Sequence, residues 1–104
     1  MARVPDGHRT AERRSLALGV LVAERLDDAL MARARERVQD WQRGDGAVPP
    51  VLADRWATVL AQGVEATRAA LTGEDQLSVD LRQNSPFAGV VDPREWQAIV
   101  REVW

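Results

Sequence analysis

Few side chains among these 104 residues could carry chemistry, and their spacing does not assemble a catalytic set. The single histidine, His8, stands beside Gly7 near the start of the chain, where no neighbouring pattern would hold a general base in place. Ser15, Ser78 and Ser85 lack the glycine-flanked elbow of a hydrolase nucleophile. Cysteine is absent, which removes thiol catalysis, disulfides and thiolate metal sites together. All fourteen cations are arginine, so Schiff-base chemistry and a phosphate-loop lysine are also excluded. Asp27–Asp28 and Glu74–Asp75 are adjacent carboxylates. Adjacent residues on a helix do not face one another, and helix capping explains both pairs more simply than metal binding. The expectation is therefore a chain that is not an enzyme, with no catalytic residues, no metal and no cofactor.

Binding chemistry is better represented. Arg33, Arg35, Arg37 and Arg43 place cations on one segment, interleaved with Glu36 and Asp40. Two readings stand for this pattern: a solvated helix face, or a surface that grips phosphates or an acidic protein. The stretch from Leu81 to Trp96 is the least generic in the chain. There Arg82 and Gln83 precede a Ser-Pro bend at Ser85–Pro86, followed by the lone phenylalanine, Phe87. Again two readings stand: an interhelical connection whose phenylalanine plugs the core, or a recognition loop with an apolar anchor beside directional polar groups. Trp104, at the last residue, is either folded back onto the core or offered to a partner. The candidate partner-binding residues are thus Arg33, Arg37, Arg82, Gln83, Phe87 and Trp104.

The elements that must position these residues read as helices. Met1 to Arg9 is expected as a loose arm, with the arm as a whole spanning 1–10 and one domain spanning 11–104. Thr10 can cap a first helix over about Ala11 to Leu26, with Leu16, Val20, Ala23 and Leu26 as its stripe. Asp27 offers a second cap, and Leu30, Ala34, Val38 and Trp41 mark one face of a helix that stops at Gly44. After the Gly/Pro-rich loop ending at Pro50, a helix begins near Val51 with Leu52, Trp56, Val59 and Leu60 on one stripe. Gly63 then acts as a stop, a kink or a weak point before the pattern resumes to Gly73. A short element pairs Leu77 with Leu81. Asp92-Pro93-Arg94-Glu95 then opens a last helix with Trp96, Ile99, Val100 and Val103 on its apolar face. Trp41, Trp56 and Trp96 are expected in the core. The sum is a compact all-α single domain of five or six short helices.

Composition agrees with that class: 45% hydrophobic residues fill a core and 29% charged residues cover it. A formal charge of -2 gives no global positive field, which argues against a general nucleic-acid coat. The charge is uneven, however. Residues 1–43 hold nine arginines against seven acids, whereas residues 44–104 hold five against nine. The apolar run Leu16 to Ala23 is interrupted by Gly19 and followed by charges without a small-residue cleavage pattern, so a cytoplasmic protein is expected.

Three blocks carry a family resemblance: Arg14-Ser-Leu-Ala-Leu-Gly-Val-Leu-Val-Ala-Glu-Arg-Leu26, Ala34-Arg-Glu-Arg-Val-Gln-Asp-Trp41, and Arg82-Gln-Asn-Ser-Pro-Phe-Ala-Gly-Val90 with Trp96. Together they resemble short helical actinobacterial proteins encoded beside nucleotidyltransferase-like toxins, as in MenA/MenT-type toxin–antitoxin pairs. The resemblance implies an antitoxin-like protein that binds and inhibits such a toxin by docking over its active site or substrate surface. The alternative from the residues alone is a small DNA-binding or accessory transcriptional regulator using the arginine-rich first two helices. A homo-oligomer is a third reading.

Overall fold

A computed structural model describes residues 6–46, 48–87 and 89–103, excluding the side chains of residues 6–9 and 103. They form six α-helices and no strand: α1 (Asp6–Arg25), α2 (Asp28–Gln42), α3 (Pro50–Ala61), α4 (Val64–Thr72), α5 (Gln76–Arg82) and α6 (Pro93–Val103). The all-α single domain is thus the observed architecture. α2 and α3 pack on each other, α1 packs on α4, α5 and α6, and α3 to α5 close the remaining side.

Local chemistry accounts for most of the boundaries. The Asp27 carboxylate accepts a hydrogen bond from the Leu30 amide at 2.8 Å, so the chain breaks between α1 and α2 and starts afresh. Asp75 caps α5 in the same way, accepting from the Ser78 amide at 3.3 Å and the Ser78 hydroxyl at 2.6 Å. At α6 the contact is reciprocal. The Glu95 amide donates to Asp92 Oδ1 at 2.9 Å and the Asp92 amide donates to Glu95 Oε1 at 3.2 Å, which is a full capping box. Gly63 is a true stop: its φ of 107° lies where side-chain-bearing residues are strained, and the chain turns there from α3 into α4.

Three expectations are corrected. α1 begins at Asp6, not near Ala11, so residues 6–10 of the expected arm are helical; residues 1–5 lie outside the described residues. Helix propagation adds a backbone hydrogen bond per residue, which carries α1 back through Gly7 and Thr10 once its apolar half is formed. The buried stripe of α1 is also rotated. Val22 and Ala23 face the core beside Gly19, whereas Val20 is 41% exposed. Gly19 sets this face, because a Cβ there would stand 2.0 Å from the Leu71 carbonyl oxygen and 3.0 Å from Arg82 Cδ. On α5, Leu81 is buried but Leu77 is exposed; the Asp75 cap turns Ser78 inward in its place.

The centre of the core is Trp56, fully buried on α3 with Leu60, Met31 and Val38 around it. Its indole N–H donates to the carbonyls of Leu81 at 3.0 Å and Asn84 at 2.8 Å, where the chain leaves α5; the Leu81 carbonyl also accepts from the Asn84 amide at 3.3 Å. Trp41 is half-buried, whereas Trp96 is 38% exposed. That departs from its expected core position because α6 is docked on α1 alone among the helices that make extensive contact.

α6 is held by charge as well as by its stripe. Arg25, at the end of α1, makes a two-pronged pair with Glu95 and donates to the Val90 carbonyl at 2.9 Å. The Arg25 hydrogen bond, followed by the Asp92 amide, holds the Glu95 carboxyl below its ordinary value of 4.5. A depressed acid stabilises the fold above its unfolded pKa and loses that contribution as pH falls through the folded value. Glu95→Gln is therefore expected to flatten the acid side of the stability profile below 4.5, measured by urea unfolding across pH. A second variant probes the close approach of α1 to α4. Gly19→Ala is expected to cost about 1–3 kcal/mol through overpacking, lowering the thermal midpoint by roughly 4–8 °C per kcal/mol for a domain of this size.

Candidate functional site

Helical spacing on α2 produces one ridge from alternating chemistry. Leu30, Arg33, Arg37 and Trp41 recur three and four residues apart, so they fall along one side of the helix, with Glu36 and Asp40 beside them. The connection after α5 returns across this side. Together they enclose a groove of about 390 Å³ whose α2 wall holds these six residues and whose other wall holds Asp45, Pro86, Phe87 and Val90. The floor is apolar and the rim charged. Arg33 and Arg37 are exposed, Trp41 is half-buried, and Asp40 is engaged by Arg43 at the far end. Near Trp41 the chain passes so tightly that a Cβ on Gly46 would meet its Cδ1 at 3.3 Å, which holds the indole against the loop.

Three of the expected partner-binding residues therefore meet at one place: Arg33, Arg37 and Phe87. Phe87 meets the others from beneath. It is only 5% exposed and packs edge-on against Trp56, with ring centroids 6.2 Å apart and planes at 73°. Of the two readings of the Ser-Pro bend, the structure has the phenylalanine plugging the core, while it also lines the groove.

Arg82 is not part of this groove. It is 9% exposed and turned inward, where its Nη1 donates to the carbonyls of Ala70 at 3.3 Å, Leu71 at 3.4 Å and Gly73. These are acceptors at the C-terminal end of α4, and a cation there is favoured by the helix dipole. Burial lowers its pKa, with Asp75, Glu74 and Glu12 opposing that shift. The side chain expected as a docking contact is used within the fold, as a cross-helix cap. Gln83 is exposed at the end of α5 but lies away from Arg33 and Arg37 in the groove lining. Trp104 lies outside the described residues.

Trp41, Leu30 and Asp45 line the groove without having been singled out as contacts. The signal was the three- and four-residue recurrence that joins Arg33 and Arg37 to Leu30 and Trp41. Leu30 and Trp41 also belong to the apolar stripe with Ala34 and Val38, which marks them as core, whereas the structure sets them at the border of the core and the groove. Phe87 also lines a second, more apolar cavity of about 260 Å³, with Leu18, Val22 and Leu71 and with Trp96 among its lining residues. Among the described residues no group of three metal-ligating side chains converges, and no helix is long and apolar enough to cross a membrane.

No protein-family model, curated protein or solved structure matches this chain.

The geometry separates residues that hold the fold from residues that are free to engage something else. Phe87→Ala is expected to cost about 3–5 kcal/mol and Arg82→Ala about 1–3 kcal/mol, because carbonyls at the end of α4 lose their donor. Arg33→Ala and Arg37→Ala should stay within about 0.5 kcal/mol of the parent. Urea denaturation midpoints of the four variants make the comparison.

Proposed function

We propose that this chain acts by docking a protein partner in the groove between α2 and the connection following α5. The observation that carries this reading is the pairing of two exposed arginines one turn apart with an aromatic and aliphatic floor. Arginine forks bind carboxylates bidentately, and an arginine or tryptophan over a desolvated floor is the usual composition of a binding hot spot. The fully buried Trp56 beneath Phe87 gives that floor a rigid base, so little ordering is needed on binding.

The partner class follows from the resemblance described above: a nucleotidyltransferase-like toxin. Such an enzyme carries carboxylates that hold its catalytic magnesium, and Arg33 and Arg37 are suited to pair with carboxylates of that kind. In this reading the chain is an antitoxin-like inhibitor, cytoplasmic and without catalysis of its own, that blocks access of nucleotide or acceptor to the toxin. Inhibition comes from covering the site.

Co-expression of the chain with the adjacent open reading frame is expected to yield a stable complex and relieve growth arrest. Arg33→Glu/Arg37→Glu is expected to lose both while keeping the parent thermal midpoint. A neighbour that is harmless alone, or a complex indifferent to the double reversal, overturns the reading. Salt-sensitive binding of duplex DNA that depends on the same two arginines would assign the groove to nucleic acid instead.

A further inference from the structure

A second face of the molecule is apolar, and its residue pattern is symmetric along the chain. α1 and α6 together line a groove of about 590 Å³, formed on α1 by Arg13, Leu16, Ala17, Val20, Leu21 and Glu24 and on α6 chiefly by Ala98 and Ile99. Val20 is 41% exposed, and Leu16, Ala17 and Leu21 are half-buried. This is the side of α1 opposite the one Gly19 presses against Leu71.

The six α1 positions pair about a single point. Arg13 and Glu24, Leu16 and Leu21, and Ala17 and Val20 each lie equally far from the bond between residues 18 and 19. Arg13 and Glu24 are eleven residues apart, which is close to three helical turns, so they sit on one stripe about 16 Å apart. The stripe is therefore basic at one end, acidic at the other and apolar between. A copy of it turned end for end is its own complement. Neither Arg13 nor Glu24 has an ion pair within the described chain, so both charges are available.

We propose that this face docks a second copy of the chain about a two-fold axis, with the two α1 helices antiparallel. Arg13 of each copy then meets Glu24 of the other and Ala17 meets Val20, each contact occurring twice as an isologous interface requires, while Leu16 and Leu21 flank the seam on its two sides. The small Ala17 gives the opposing valine room. On the α6 side Glu95 is already neutralised by Arg25, and Glu102 stands on the rim, leaving Arg13 as the one cation among the lining residues to receive the acidic end of the copy. An interface of one helix face and its flank falls at the lower end of stable interface areas, so association is concentration-dependent. The groove shares no residue with the α2 groove, and the proposal stands or falls independently of the partner reading.

Sedimentation velocity over a concentration series reads the result. The parent chain is expected to rise in mass from 11.5 kDa toward twice that value, and Val20→Glu is expected to remain a monomer with unchanged helicity by circular dichroism. Arg13→Glu and Glu24→Arg each set like charges together twice and should weaken the dimer roughly two- to thirty-fold. Arg13→Glu/Glu24→Arg recreates the complement and should restore it. A parent chain that stays monomeric up to about 1 mM overturns the proposal. So does a dimer indifferent to Val20→Glu, or a charge swap no tighter than either single reversal.

Discussion

The bifurcated hydrogen bond from the Trp56 indole to the carbonyls of Leu81 and Asn84 is the constraint on which the rest of this fold depends. A fully buried indole must find an acceptor or forfeit a hydrogen bond it made with water. Here it finds two where the chain leaves α5, one of them shared with the Asn84 amide. That single contact fixes the end of α5 over α3 and sets the direction in which the Ser-Pro bend leaves. Phe87 then falls edge-on against the same indole, so the aromatic pair closes the core and supports the groove above it.

Arg82 plays the matching role on the other side of α5. Its guanidinium reaches the carbonyls at the end of α4 while Gly19 of α1 passes against the same turn, so three helices meet around one set of helix-terminal acceptors. Buried arginines are costly unless their donors are used; Arg82 Nη1 reaches three carbonyls, while its buried Nε has no hydrogen-bond partner among the described residues. The rigid part of the molecule is thus a polar scaffold inside an apolar shell. α6 is attached differently, through the Arg25–Glu95 pair and a stripe on α1, and its looser setting is why Trp96 remains partly in solvent.

The distinction matters for function because it sorts residues of the same type. Arg33, Arg37 and Arg82 are indistinguishable as arginines, yet two stand over a groove and one is consumed in holding α4. The proposed docking role draws on both kinds: a stiff base that avoids ordering costs, and exposed forks for a partner. The unevenly charged chain is compatible with two separate surfaces, one on α2 and one on α1, that share no side chain.

How much of this was legible follows from the range of each interaction. The helix class, the Asp27, Asp75 and Asp92 caps, the loop around Gly44 and the convergence of Arg33 and Arg37 on one helix side were all determined by the sequence alone, because caps and helical periodicity act within four residues. The face α1 turns to the core was not, since it depends on the Leu71 carbonyl lying against Gly19, more than fifty positions away in the chain. The inward turn of Arg82 and the burial of Phe87 beneath Arg33 and Arg37 were likewise decided only in the tertiary structure. An acceptor left over at a helix end, or an indole waiting in the core, becomes a partner only once packing has removed the water that would otherwise have served.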